Sequence, residues 1–181
     1  MKLSWSKYEL SKSYDEYITP KRTVRGHLRK IGNFFESLSF NDLQELDSAT
    51  KSAIKSMGIN FRVYSDEGSE ERTWPLDFIP RIIKKSEWNI VEKGLKQRTK
   101  ALNYFIEDCY NEQSFLNSGF INKSLITKSK YFLKFCKGTK LPNKSWAHIS
   151  GSDLIKDING DFHVLEDNLR VPSGVSYMLE N

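Results

Sequence analysis

An α+β fold is predicted from three features: apolar residues at helical spacing in the early part of the chain, one long amphipathic helix at its centre, and two strand-like runs joined by Asn159-Gly160 near its end. At 181 residues, one domain is the default expectation, two small ones are the alternative, and there is enough sequence to bury a core. The division expected is a polar arm over residues 1–20, with scattered aromatics and a stop at Pro20, followed by a folded body over residues 21–181.

Within the body, Val24, Leu28, Ile31, Phe35 and Leu38 recur with the period of a helix face. A second helix is expected with Asn41 as its cap, a stripe of Leu43, Leu46, Ala53, Ile54 and Met57, and Gly58 as its stop. Ile59, Phe61 and Val63 alternate with polar residues and predict a strand, and Ser65 to Arg72 reads as a charged turn. Two prolines make residues 74–83 an extended segment or loop. The long helix is expected from Glu87 to Tyr110, with Ser86 as cap and Trp88, Val91, Leu95, Leu102, Phe105, Ile106 and Cys109 on one face. A short helical stretch ends near Gly119, and residues 120–144 read as irregular or mixed. Trp146–Ile158 and Asp161–Leu169 form an antiparallel hairpin, and residues 170–174 are rich in turn formers.

Composition excludes several classes. With 38% hydrophobic and 13% aromatic residues in a regular pattern, the chain is not disordered. No apolar run approaches the ~20 residues that span a bilayer, and the first residues lead into polar sequence rather than a signal-peptide core, so no membrane partner is expected. Cys109 and Cys136 are far apart and form no CxxC, which excludes a disulfide scaffold or zinc-finger framework and fits a reducing compartment, the cytoplasm. The net charge of +5 is spread out. The densest stretch, Lys123 to Lys140, lies in no nucleic-acid-binding motif and reads as a solvated basic face.

A two-residue loop at Asn159-Gly160 pairs Ile158 with Asp161, Ile155 with Val164 and Asp153 with Glu166; Asn168 then shares the face of Glu166. Directly opposed like charges destabilise a sheet by about 0.2–1 kcal/mol, so this pair calls for a counter-ion. Carboxylate and amide oxygens are hard donors suited to Mg²⁺. An exposed acidic strand end with water as its only partner is the other reading. The same register turns His148 and His163 to the opposite face, where they are structural.

The run Ile149-Ser150-Gly151-Ser152-Asp153-Leu154-Ile155-Lys156-Asp157, with Val164-Leu165-Glu166-Asp167-Asn168-Leu169-Arg170 and Val171-Pro172-Ser173-Gly174 through Asn181, resembles the circularly permuted ATP-grasp proteins. These are relatives of glutathione synthetase and glutathionylspermidine synthase. Residues 71–83, and Trp88 through Arg98 to Asn103, resemble the same family. The resemblance implies ATP and Mg²⁺ as cofactors, with Asp153, Glu166 and Asn168 as metal ligands. It also implies a carboxylate and an amine as substrates, joined through an acyl phosphate. Arg170 is the candidate catalytic cation, with an exposed surface charge as the other reading. Ser173 and Gly174 are candidates for backbone contacts to the nucleotide, with a plain turn as the other reading. Arg81 is a weaker substrate-site candidate, and Arg98 reads as structural.

The lysine-bearing strands that clamp ATP in this family follow the metal-ligand strands and are not matched here. The expectation is therefore an incomplete ATP-grasp fold, active as a ligase only when completed by further sequence or a second polypeptide. A truncated inactive remnant, or a basic module binding anions or nucleic acid, are the alternatives. Nucleic acid is not the expected partner.

Overall fold

The computed structural model describes residues 4–65, 68–172 and 174–180. It is a mixture of helices and two small two-stranded sheets. The chain divides into two compact units, residues 1–84 with 156–161, and residues 85–155 with 162–181.

In the first unit, a 3₁₀ turn at Gly26–Leu28 runs into helix α1, Arg29–Ser37. Val24 stands outside the helix and forms an isolated antiparallel bridge with Ile18. The core is built on Trp5, Ile18 and Phe35, with Leu10, Tyr17, Ile31, Leu43, Phe78 and Ile79 packed around them. Trp5 and Ile18 come from the stretch read as a polar arm. The Trp5 indole N–H donates to the Gly32 carbonyl at 3.2 Å, so the ring is buried without stranding its polar atom.

Helix α2, Phe40–Ser56, corrects the expected cap: Ser39, not Asn41, begins it. Ser39 Oγ accepts from the Asp42 N–H at 3.2 Å, and Asp42 returns a carboxylate to the Ser39 N–H at 2.7 Å. This reciprocal box satisfies two helix-end donors, which Asn41 would not have done from inside the first turn. Gly58, at φ 69°, follows the helix.

Strand β1, Asn60–Ser65, pairs antiparallel with β2, Gly68–Thr73, from Asn60↔Thr73 to Ser65↔Gly68. The charged turn expected over Ser65–Arg72 is therefore mostly strand. Every residue of β2 is exposed, so no apolar alternation betrays it. Residues 74–84 carry no helix or strand, as the prolines require.

In the second unit, α3 spans Lys85–Tyr110. Val91 and Cys109 are buried on its inner stripe, whereas Trp88, expected there, is 42% exposed. The short helices α4, Ser114–Asn117, and α5, Lys123–Thr127, follow, with Leu116 buried beneath α4. Tyr110 is stacked between Phe132 and Trp146 at 4.8 and 4.9 Å. Asn103 Oδ1 accepts the backbone N–H groups of Trp146 and Ala147, and Glu107 accepts the Trp146 indole N–H at 2.6 Å. These bonds tie the approach to the C-terminal sheet onto α3. That sheet pairs β3, Gly151–Lys156, with β4, Phe162–Asn168. The strand expected to begin at Trp146 thus begins five residues later. The turn-rich tail contains a further helix, α6, Val175–Glu180. No helix among the described residues is long and apolar enough to cross a membrane.

Candidate functional site

The hairpin differs from expectation at its tip. A two-residue type I′ loop requires positive φ at both central residues, and only Gly160 has it, at 90°. The loop is instead Ile158-Asn159-Gly160. Gly160 N–H donates to the Asp157 carbonyl and Asp157 N–H to the Asp161 carbonyl, both at 3.0 Å. The Asp157 carboxylate explains the wider loop: its Oδ1 accepts from the N–H groups of Asn159 at 2.9 Å and Asp161 at 3.0 Å. The expected pairing of Ile158 with Asp161 is replaced by Asp157 with Asp161, a shift of one residue.

Exposure alternates along β4 from Phe162 to Leu165, then Leu165 and Glu166 are exposed in succession, so the alternation shifts by one residue there. Past that point, Ser152 Oγ donates to Asp167 Oδ1 at 2.7 Å, which brings these two side chains to one face. Asp153, Glu166 and Asn168 consequently lie on the other, exposed face. His163 is exposed as well. His148 is exposed in a segment without strand structure, where strand alternation does not apply.

Asn168 Nδ2 donates to Glu166 Oε1 at 3.0 Å. That bond orients the amide so that its carbonyl oxygen remains for another partner. Among the described residues, no cation pairs with Asp153 or Glu166. The donor set is two carboxylates and one amide oxygen, all open to water. This fits Mg²⁺, which takes few protein oxygens and keeps waters or substrate phosphates in its shell. Among the described residues, no three His, Cys, Asp or Glu side chains converge as a self-sufficient metal cage.

Behind the exposed face, Asp167 has a side chain only 11% exposed and is bonded by Arg98 Nε of α3 at 2.7 Å. Burial pushes its carboxyl up. The bonds from Ser152 and Arg98, with the guanidinium charge, outweigh that and hold it below the usual carboxylate value. Asp167 was legible only indirectly, as a carboxylate on the inward-facing position between two outward ones. Arg98 has the structural partner expected of it.

Arg170 is exposed and has no ion-pair partner among the described residues. Ser173 lies outside the described residues, and Gly174 is an exposed turn residue just before α6. In the first unit, the Arg81 guanidinium is committed to both oxygens of Glu16, each at 2.7 Å, which explains its position without a substrate.

The family profile for circularly permuted ATP-grasp type 2 matches residues 80–181, more than half of the chain. An uncharacterized protein of Synechocystis sp. is 42% identical over 96% of this chain and 36% of its own length. An uncharacterized protein of Mycobacterium leprae is 39% identical over 94% of this chain and 30% of its own. A protein of Frankia alni, provisionally named a glutamate–cysteine ligase, is 33% identical over 92% of this chain and 19% of its own. The chain thus spans about a third of the length of the first two relatives. By the extent of the profile match, this chain belongs to the circularly permuted ATP-grasp type 2 family.

Proposed function

We propose that the chain supplies the metal-binding strands of a Mg-ATP site in a carboxylate–amine ligase. One observation carries the reading: within the family match, Asp153, Glu166 and Asn168 offer three oxygen donors on one open face of the β3–β4 hairpin. Glu166 and Asp153 would hold the cation with carboxylate oxygens, and Asn168 would add a neutral oxygen.

A metal held there would supply charge neutralisation at the γ-phosphate. A substrate carboxylate would attack that phosphorus and ADP would leave; an amine would then displace inorganic phosphate from the acyl phosphate and lose a proton. Carboxylate and amine are also the substrate classes in the name of the Frankia relative. Arg170 would offer a guanidinium to phosphate or acyl-phosphate oxygens. Ser173 and Gly174 would offer backbone N–H groups. The remaining contacts to ATP would come from polypeptide equivalent to the part of the relatives that this chain does not span, in the same chain or in a second one.

The test is a titration of Mn²⁺, with ATP present, into wild type and Glu166→Gln, reading free Mn²⁺ by its electron spin resonance. A loss of about tenfold or more in Mn²⁺ affinity is expected when a ligand carboxylate is replaced. Equal affinity in the two proteins refutes the metal assignment.

A further inference from the structure

We infer that Arg98 and Asp167 are positioning residues that hold β4 in the one register presenting Glu166 and Asn168 on the open face. The inference concerns how the site is built, and its functional consequence rests on the metal reading above.

Successive residues of a strand face opposite ways, so the register of Asp167 dictates that of its two neighbours. Asp167 is nearly buried and has two partners: Ser152 Oγ at 2.7 Å on Oδ1, and Arg98 Nε at 2.7 Å on Oδ2. Ser152 directly precedes Asp153. One carboxylate therefore fastens β4 both to β3, at the level of the proposed ligands, and to helix α3.

The hairpin needs such a fastening. Its tip is closed by the Asp157–Asp161 bond, and the exposure alternation of β4 shifts by one residue at Leu165-Glu166. If the strand beyond that point slips by one residue, every side chain there changes face. Glu166 would then turn inward toward the place of Asp167, and Asp167 would lose both partners. Apolar packing does not oppose the slip strongly, because Leu165 is already 66% exposed. The charged hydrogen bond from Arg98, like the one from Ser152, is made in this register and lost on slipping.

The experiment measures amide hydrogen exchange by NMR and Mn²⁺ affinity on the full chain. Arg98→Ala, Arg98→Lys and Asp167→Asn are compared with Lys96→Ala, which breaks an exposed ion pair on the same helix. Arg98→Ala is expected to raise exchange at Glu166, Asp167 and Asn168 by about tenfold or more, with α2 unchanged, as the loss of one charged hydrogen bond implies. Mn²⁺ affinity should fall by about tenfold, the scale of lost outer-shell support. Arg98→Lys and Asp167→Asn should fall between these, and Lys96→Ala should match wild type.

Unchanged β4 exchange in both Arg98→Ala and Asp167→Asn overturns the inference. Raised exchange with undiminished Mn²⁺ affinity overturns its functional part. If wild type and Glu166→Gln bind Mn²⁺ equally while Arg98→Ala still loosens β4, the metal reading fails and the register clamp stands.

Discussion

Replacing Gly160 with alanine tests the geometry of the hairpin tip. Gly160 has φ 90°, a conformation that costs an L-residue about 1–2 kcal/mol. A Cβ at this position would also lie 2.6 Å from Cε2 and 2.7 Å from Cζ of Tyr14. The ring cannot swing aside freely: the Arg25 guanidinium sits 4.3 Å from its centroid and the Lys156 ammonium 5.4 Å. Forcing a methyl group into such a contact costs about 1–3 kcal/mol. The two costs together predict a loss of about 2–5 kcal/mol in urea unfolding, moving the midpoint down by about 1–2 M. A double-mutant cycle separates them. In a Tyr14→Ala background, Gly160→Ala should cost only the backbone part, about 1–2 kcal/mol. Gly160→Asn, which tolerates the left-handed region better, should keep the clash and relieve the backbone. A change below about 0.5 kcal/mol for Gly160→Ala, within the range of ordinary surface substitutions, would refute both the loop conformation and the ring contact.

Ser39→Ala should destabilise the first unit by about 1 kcal/mol through loss of the α2 cap, seen as a lower unfolding midpoint with unchanged helix content at low denaturant. The box also holds the Asp42 carboxyl below its usual value, chiefly through the Ser39 backbone N–H. A lowered folded-state value means the contribution is complete above the ordinary carboxylate range and is lost as pH falls below about 4, so Asp42→Asn should flatten that acid limb of the stability curve. Cys109 is 4% exposed and its thiol is pushed up by burial, then by Asp108, whereas Cys136 is only partly buried. Iodoacetamide at pH 8 should therefore label Cys136 first in the native chain, as read by peptide mass spectrometry; equal rates would contradict the packing of α3.

Much of the fold was legible where burial imposes a period. The α3 stripe from Val91 to Cys109 announces a helix because it buries one face, and the Ile59–Val63 alternation announces a strand by its period of two. β2 was missed for the same reason: Gly68–Thr73 is a strand by pairing alone, fully exposed, with no apolar side to mark it. Trp88 was misplaced because helical spacing says which residues share a face, not how far the covering layer extends. At the hairpin, the expected Asp153–Glu166 pairing followed from the wrong loop. The wider tip, closed by Asp157 and Asp161, shifts the register there by one residue.

The sequence by itself determined the family and singled out the candidate ligands: two carboxylates and an amide in adjacent strand-like runs. Residue type and spacing suffice for that, because hard oxygen donors and strand alternation are local properties. Only the tertiary structure decided which way those strands face. That depends on the Asp157 carboxylate gathering loop amides, on Tyr14 packing against Gly160, and on Arg98 reaching Asp167 from a helix 69 residues away in sequence. These are contacts between distant residues, and a strand's register is set by the sum of its pairings rather than by any one residue's preference.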